Sequence, residues 1–178
     1  MTAKDKLLDA AADLFYADGI GATGVDDVVR AAGVSKPTLY AHFGSKAQLV
    51  AAVLERRHAT RAAELEALDG GPLAIFAWLA DFYAREGARG CAFVNAAAEL
   101  GHGGPGRAAA AREKAWLRAE LARRARTEGL RDPDGLASRL GLLIDGVGAR
   151  VVVDGHGAAA SAVADATAAA RTLCEAAA

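Results

Sequence analysis

The chain has 178 residues, 53% of them hydrophobic but only 6% aromatic, and a formal net charge of -1 at pH 7. That length allows one large domain or two small ones with a core of useful size. The balanced charge excludes a polycation that coats nucleic acid, so any such binding must come from a local patch.

Helical periodicity fills the chain. The first helix is expected from about Ala3 to Asp18, with Leu7, Ala11, Leu14 and Phe15 on one face. Gly19 is placed to end it in the left-handed conformation. Thr23 reads as the next N-cap, with Asp26 in capping-box position. Val25, Val28, Val29 and Ala32 give the second helix its inner face. Gly33 permits a tight turn and Ser35 caps the third helix, where Pro37 is tolerated because a first-turn N–H has no helical partner. Gly44 ends that helix, and Ser45 to Gln48 opens a long fourth one to about Leu68. Asp69-Gly-Gly-Pro72 is the clearest break. Further helices are expected over Pro72 to Gly87, Cys91 to Leu100, Arg107 to Glu128, Asp132 to Val153 and Ala158 to Ala177. Val151-Val-Val153 is the best β candidate, yet it closes a helical pattern. The expected fold is all-α, with nine helices in two domains: a three-helix helix-turn-helix domain over residues 1–61 and a helical domain over 62–178.

The segment 24–43 has the parts that a major-groove reader needs. Val34, Leu39 and Phe43 supply an inner apolar face that fixes the angle between the two helices. Ser35, Lys36, Tyr40 and Lys46 supply hydroxyls and cations for phosphates, and Thr38 and His42 are placed to reach base edges. Pro37 or Thr38 can touch a thymine methyl. Thr23 heads the second helix as a further contact; Arg30 either reaches a phosphate or is simply solvated. From Val34 to Lys46 there are two lysines, one histidine and no acid. One copy would bind weakly and with strong salt dependence, so two recognition helices are needed. The competing reading is three small helices packed together with no nucleic acid involved.

Leu7 to Leu54 resembles the amino-terminal domain of the TetR family of bacterial transcriptional regulators. The matching residues are Ala11-Ala-Asp-Leu-Phe15, Gly19, Thr23, Ala32-Gly-Val-Ser35, Thr38-Leu-Tyr40, His42-Phe43, Ser45-Lys46 and Leu49. One departure is Val29-Arg30, where many relatives have Ile-Ala. The resemblance implies double-stranded operator DNA as partner, a carboxy-terminal domain that forms a homodimer, and a small-molecule effector that tilts the fourth helix. It favours a repressor released by its effector, with a ligand-free regulator and a helical carrier or enzyme as the rival readings.

In the carboxy-terminal region, Leu136, Leu140, Leu143, Val147 and Val151 repeat at three and four residues, as do Val163, Ala166, Ala170 and Leu173. Such stripes suit either a dimer interface or an internal core. The aromatics Trp78, Phe82 and Trp116, with His58, Cys91, Asn95 and Glu99, are the candidate effector contacts, against the plainer reading of core packing. Cys91 near Arg89 is either an oxidant sensor or, more simply, an inert thiol. Glu99-x-x-His102 is half a metal site with nothing to complete it, so no metal and no cofactor is expected. No Ser/His/Asp or paired-carboxylate arrangement stands out, and no enzyme activity is expected. The two cysteines, Cys91 and Cys174, make no disulfide framework. With no apolar signal core, and no run of the roughly 18 to 20 apolar residues that span a bilayer, a cytoplasmic protein with no membrane partner is expected.

Overall fold

A computed structural model describes residues 1–178 except Gly87, Ala88 and His102. The described residues form α1 (Ala3–Ala17), α2 (Val25–Ala32), α3 (Lys36–Phe43), α4 (Lys46–Glu66), α5 (Pro72–Arg85), α6 (Ala92–Glu99), α7 (Pro105–Thr127), α8 (Pro133–Asp154) and α9 (Ala159–Ala177). A single 3-10 turn, His156–Ala158, precedes α9. No strand occurs among them, and Val151-Val-Val153 lies inside α8. The expected all-α fold with nine helices is therefore the observed one.

Contacts group the chain into two units, residues 1–60 with 92–112, and residues 61–91 with 113–178. This grouping and the division at residue 61 read from the sequence are different partitions. They differ over 92–112, because α6 and the start of α7 are tied to the amino-terminal helices.

In the first unit, Leu7, Leu8, Ala11 and Phe15 of α1 are buried with Val28 and Ala32 of α2 and Leu39 and Phe43 of α3. The first turn of α1 is closed by a capping box, with Thr2 and Asp5 bonded reciprocally. Those hydrogen bonds from Thr2 hold the Asp5 carboxyl below its usual range. Leu49, Val50, Val53 and Leu54 of α4 are buried, as are Phe93 and Ala96 of α6. Gly106 is needed for close approach: a Cβ there would stand 2.7 Å from Leu100 Cδ1 and 3.0 Å from Val50 Cγ1. Arg107 Nη1 donates to the Ala97 carbonyl at 2.6 Å, and Glu99 accepts the Gly21 N–H at 2.8 Å. That carboxylate fixes α6 against the α1–α2 loop.

In the second unit, α9 packs along both α8 and α5. Its inner face is small, with Ala162, Val163, Ala166 and Ala170 all buried, which lets the helices approach closely. Leu136, Leu140, Ile144, Val147 and Val151 of α8 face it, with Ile75, Phe76 and Leu79 of α5 and Leu117 and Leu121 of α7 in the same core. Asp132 caps α8 by accepting the Gly135 N–H at 3.1 Å. It does so at φ 48°, a left-handed backbone that a non-glycine residue adopts only when local bonds hold it. Gly90 lies against α8 so tightly that a Cβ would stand 2.4 Å from the Gly148 carbonyl oxygen, and its φ of +69° is left-handed as well. Both facts require glycine there.

This packing corrects the interface read from the sequence. Leu136, Leu140, Val147, Val151, Val163, Ala166 and Ala170 are buried within one chain, and Leu143 and Leu173 pack partly buried against the same core. The periodicity found the inner faces of α8 and α9. A partner subunit would have to meet other faces. Cys174 is buried too, and burial pushes its thiol above the usual value, which disfavours the reactive thiolate.

Candidate nucleic-acid interface

The corner between α2 and α3 is built from Gly33, Val34 and Ser35. Gly33 adopts φ 65°, ψ 36° and turns its N–H back onto the Val29 and Arg30 carbonyls, which satisfies the end of α2. Ser35 Oγ accepts the Thr38 N–H at 3.3 Å and lies 2.8 Å from Thr38 Oγ1. Pro37 occupies the first turn of α3 as expected. Leu39 and Phe43 point into the core, so α3 presents Lys36, Pro37, Tyr40, Ala41 and His42 outward. Thr38 is half-buried. Tyr40 is 43% exposed, a large aromatic surface to leave in water. Gly44 stops α3 at φ +71°, and Ser45 Oγ accepts the Gln48 N–H at 3.1 Å to start α4 beside Lys46. The first-turn N–H groups of α4 and the Lys46 ammonium thus form one candidate phosphate site.

The charges on this face are less simple than a count suggests. Lys36 Nζ lies 3.0 Å from an Asp26 oxygen, and Arg30 Nη1 lies 3.0 Å from Asp27. The Asp26 hydrogen bond holds the Lys36 ammonium pKa above its ordinary value. Both pairs are exposed, so they are weak and a phosphate can take the acid's place. They also neutralise two carboxylates that would otherwise repel a duplex. Lys46 has no carboxylate within ion-pair distance among the described residues and carries a full local charge.

Thr23 needs correction. Its side chain is buried at 3% exposure, and its hydroxyl donates to the Gly19 carbonyl at 2.7 Å. It is neither the cap of α2 nor open to a ligand. Gly24 is the N-cap, and Asp27 accepts the Gly24 N–H at 3.0 Å. Thr23-Gly-Val-Asp-Asp27 offers two cap registers one residue apart, and burial of the threonine methyl selects the second.

The candidate effector contacts do not gather in one unit. His58, Asn95 and Glu99 belong to the first, and Glu99 is exposed and committed to the Gly21 N–H. Trp78, Phe82, Cys91 and Trp116 belong to the second. Trp78 and Phe82 stack with centroids 5.2 Å apart. His102 of the Glu99-x-x-His102 pair lies outside the described residues. Two grooves in the second unit are lined by none of the seven. One, of about 770 Å³, runs between α5 and α9 past Tyr83, His156, Thr167 and Arg171. The other, of about 180 Å³, lies between α7 and α8 at Lys114, Arg118, Ser138 and Asp145.

Residues 7–53 match the family model "Bacterial regulatory proteins, tetR family". A solved TetR transcriptional regulator from Streptomyces avermitilis is 33% identical, covers 99% of this chain and 98% of its own, and superposes with a TM-score of 0.86. The chain belongs to the TetR family. Among curated TetR-type relatives, the transcriptional activator FasR of Mycolicibacterium smegmatis is 49% identical over 53 residues, 30% of this chain and 24% of its own. The repressor ComR of Escherichia coli is 42% identical over 82 residues, 46% of this chain and 39% of its own. The matches thus span well under half the length of these curated relatives. Among the described residues, no helix of this TetR-family chain is long and apolar enough to cross a membrane.

Proposed function

We propose that the chain is a sequence-specific DNA-binding transcriptional regulator that acts as a homodimer. In this reading it is a repressor, released from its operator when a small molecule occupies the carboxy-terminal region. The observation that carries it is α3, anchored by Leu39 and Phe43 and presenting Lys36, Pro37, Tyr40 and His42 to solvent beside Lys46. Arg30, Ser35 and Thr38 complete the proposed contact set. The repressor sign follows the relative matched over the longer stretch, ComR; FasR, the activator, matches little beyond the reader itself. A ligand that binds both conformations equally shifts nothing, so the effector must favour the state that does not fit the operator.

Capturing fragmented genomic DNA of the source organism on the protein tests this reading. The selected fragments should share two-fold related half-sites about one or more helical turns apart. Binding should weaken steeply with salt, by about 0.9 in log–log slope per neutralised phosphate. Absence of salt-dependent duplex binding would hand the case to a helical carrier or enzyme.

Dimerisation is assigned to the outward face of α8. Leu142 is 70% exposed and Val153 82%, with Gly146 and Ala149 exposed between them at helical spacing. Val152 adds another 53% exposed apolar side chain. An apolar stripe of this kind marks a contact surface. Leu142→Asp is expected to give a folded monomer by sedimentation and to lower operator affinity at least 100-fold. An unchanged dimer would move the interface elsewhere.

A further inference from the structure

Besides Arg124 and Glu120, the second unit buries another charged pair in its largely apolar core. Glu113 of α7 has 0% side-chain exposure and Arg61 of α4 has 12%, with Arg61 Nη1 3.0 Å from Glu113 Oε1. The Arg61 guanidinium carbon also stands 5.3 Å from the centroid of the Trp78 ring. Trp78 is fixed from two sides: its Nε1–H donates to Glu64 Oε2 at 2.9 Å, and Phe82 stacks on it nearly parallel. Arg61 Nε is buried with no hydrogen-bond partner. A guanidinium has five N–H donors, and leaving one unused in the interior is costly. An apolar pair of similar volume often serves stability as well as a buried ion pair. Stability alone therefore does not account for this arrangement.

We propose that Glu113 and the Trp78–Phe82 rings form a binding site for an organic cation with a planar or aromatic body, and that Arg61 is its resident stand-in. The carboxylate supplies the counter-charge, and the indole face attracts a cation laid over it. The guanidinium shows the site's chemistry by occupying it, imperfectly, since one donor finds no acceptor. A ligand that enters displaces Arg61, whose partial exposure and flexible stem give it a path to water. An anionic ligand is rejected, because it would be buried beside Glu113. Arg61 sits on α4, the helix whose first turn carries Lys46, so the displacement alters the helix that leads into the reader. This inference rests on the ligand-responsive reading above and names the ligand class that reading left open.

The test titrates the full-length protein with phenylguanidinium, and separately with benzoate, at constant ionic strength. Trp fluorescence and calorimetry report binding. Saturable binding of phenylguanidinium and none of benzoate is expected. Glu113→Gln should weaken the cation at least tenfold, and Arg61→Ala, which removes the internal competitor, should tighten it at least tenfold. If Arg61→Ala does not fold, Arg61→Gln and the wild type carry the measurement. No saturable cation binding, equal binding by Glu113→Gln, or a preference for benzoate overturns the site. Cation binding that leaves operator affinity unchanged overturns the effector reading instead and leaves the site standing.

Discussion

Arg124→Met is expected to destabilise the protein by about 3–5 kcal/mol, the usual cost of breaking a buried, fully bonded charge network. Arg124 is 1% exposed, yet it is charged. Its Nη1 donates to the Gly70 carbonyl at 2.8 Å, and its Nη2 donates to the Leu65 and Leu68 carbonyls. The last turn of any helix leaves carbonyls without an internal partner. Here one planar guanidinium reaches one of them, Leu65, and the Leu68 and Gly70 carbonyls just past the end of α4, where the helix dipole also favours a positive charge. Nε donates to Glu120 Oε1 at 2.7 Å, so the burial is paired on the acid side as well. Methionine fills most of the volume but takes a donor away from three carbonyls and from Glu120, which keeps only its bonds from Arg123. For a chain of this size the loss corresponds to a fall in Tm of roughly 6–20 °C. Lysine should recover only part, because one point charge cannot fork across three acceptors. Denaturant melts of the three proteins decide it, and a methionine variant within 1 kcal/mol of wild type would refute the assignment. The same network has an acid limb. Hydrogen bonds from Arg123 first, then Arg124, hold the Glu120 carboxyl below the ordinary glutamate value. Its folded pKa is thus lower than its unfolded one, so its contribution is complete above the ordinary glutamate range and is lost as pH falls through the folded value.

Arg124 also shows what the sequence could not display. Local signals were legible because they are local: Gly19 and Gly44 do stop α1 and α3, Ser35 and Ser45 do cap α3 and α4, and Pro72 does open α5. Where two local signals competed, reading failed by one step, as with the Thr23 and Gly24 caps. The apolar stripes of α8 and α9 were found, but periodicity gives the direction of a face and not what covers it. Leu140 and Val163 are buried in one core within one chain, while Leu142, two residues on and so roughly opposite on the same helix, is left outside. Pairings between distant residues left no trace in spacing. Arg61 and Glu113 are 52 positions apart on helices rich in both charge types, and nothing local distinguishes them from solvated neighbours. The same holds for Glu99 on the Gly21 N–H, which read as part of a ligand face. The face of α3 was legible because inner and outer residues alternate in chemical type over a single short helix.

Replacing Tyr40 and Lys46 together with alanine is expected to lower operator affinity at least 100-fold while leaving the fold and the dimer intact. Tyr40 is exposed on the outer face of α3 and Lys46 stands at the mouth of α4, so neither supports the core. Surface changes of this kind shift stability by about 0.5 kcal/mol or less. In a dimer the double variant removes four contacts, and each base or phosphate contact is worth about 1–3 kcal/mol. The two lysines should also take about 2 from the log–log salt slope, one phosphate per half-site. Lys36→Ala serves as the internal comparison. Its charge is already offset by Asp26, so its loss should cost less than that of Lys46, and Asp26→Asn should tighten binding by freeing Lys36. This ordering separates a specific reader from a merely cationic surface, on which both lysines would count equally. Filter binding or fluorescence anisotropy at several salt concentrations measures affinity and slope together. If the double variant keeps both, α3 is not the reading element and the DNA-binding assignment loses its physical basis.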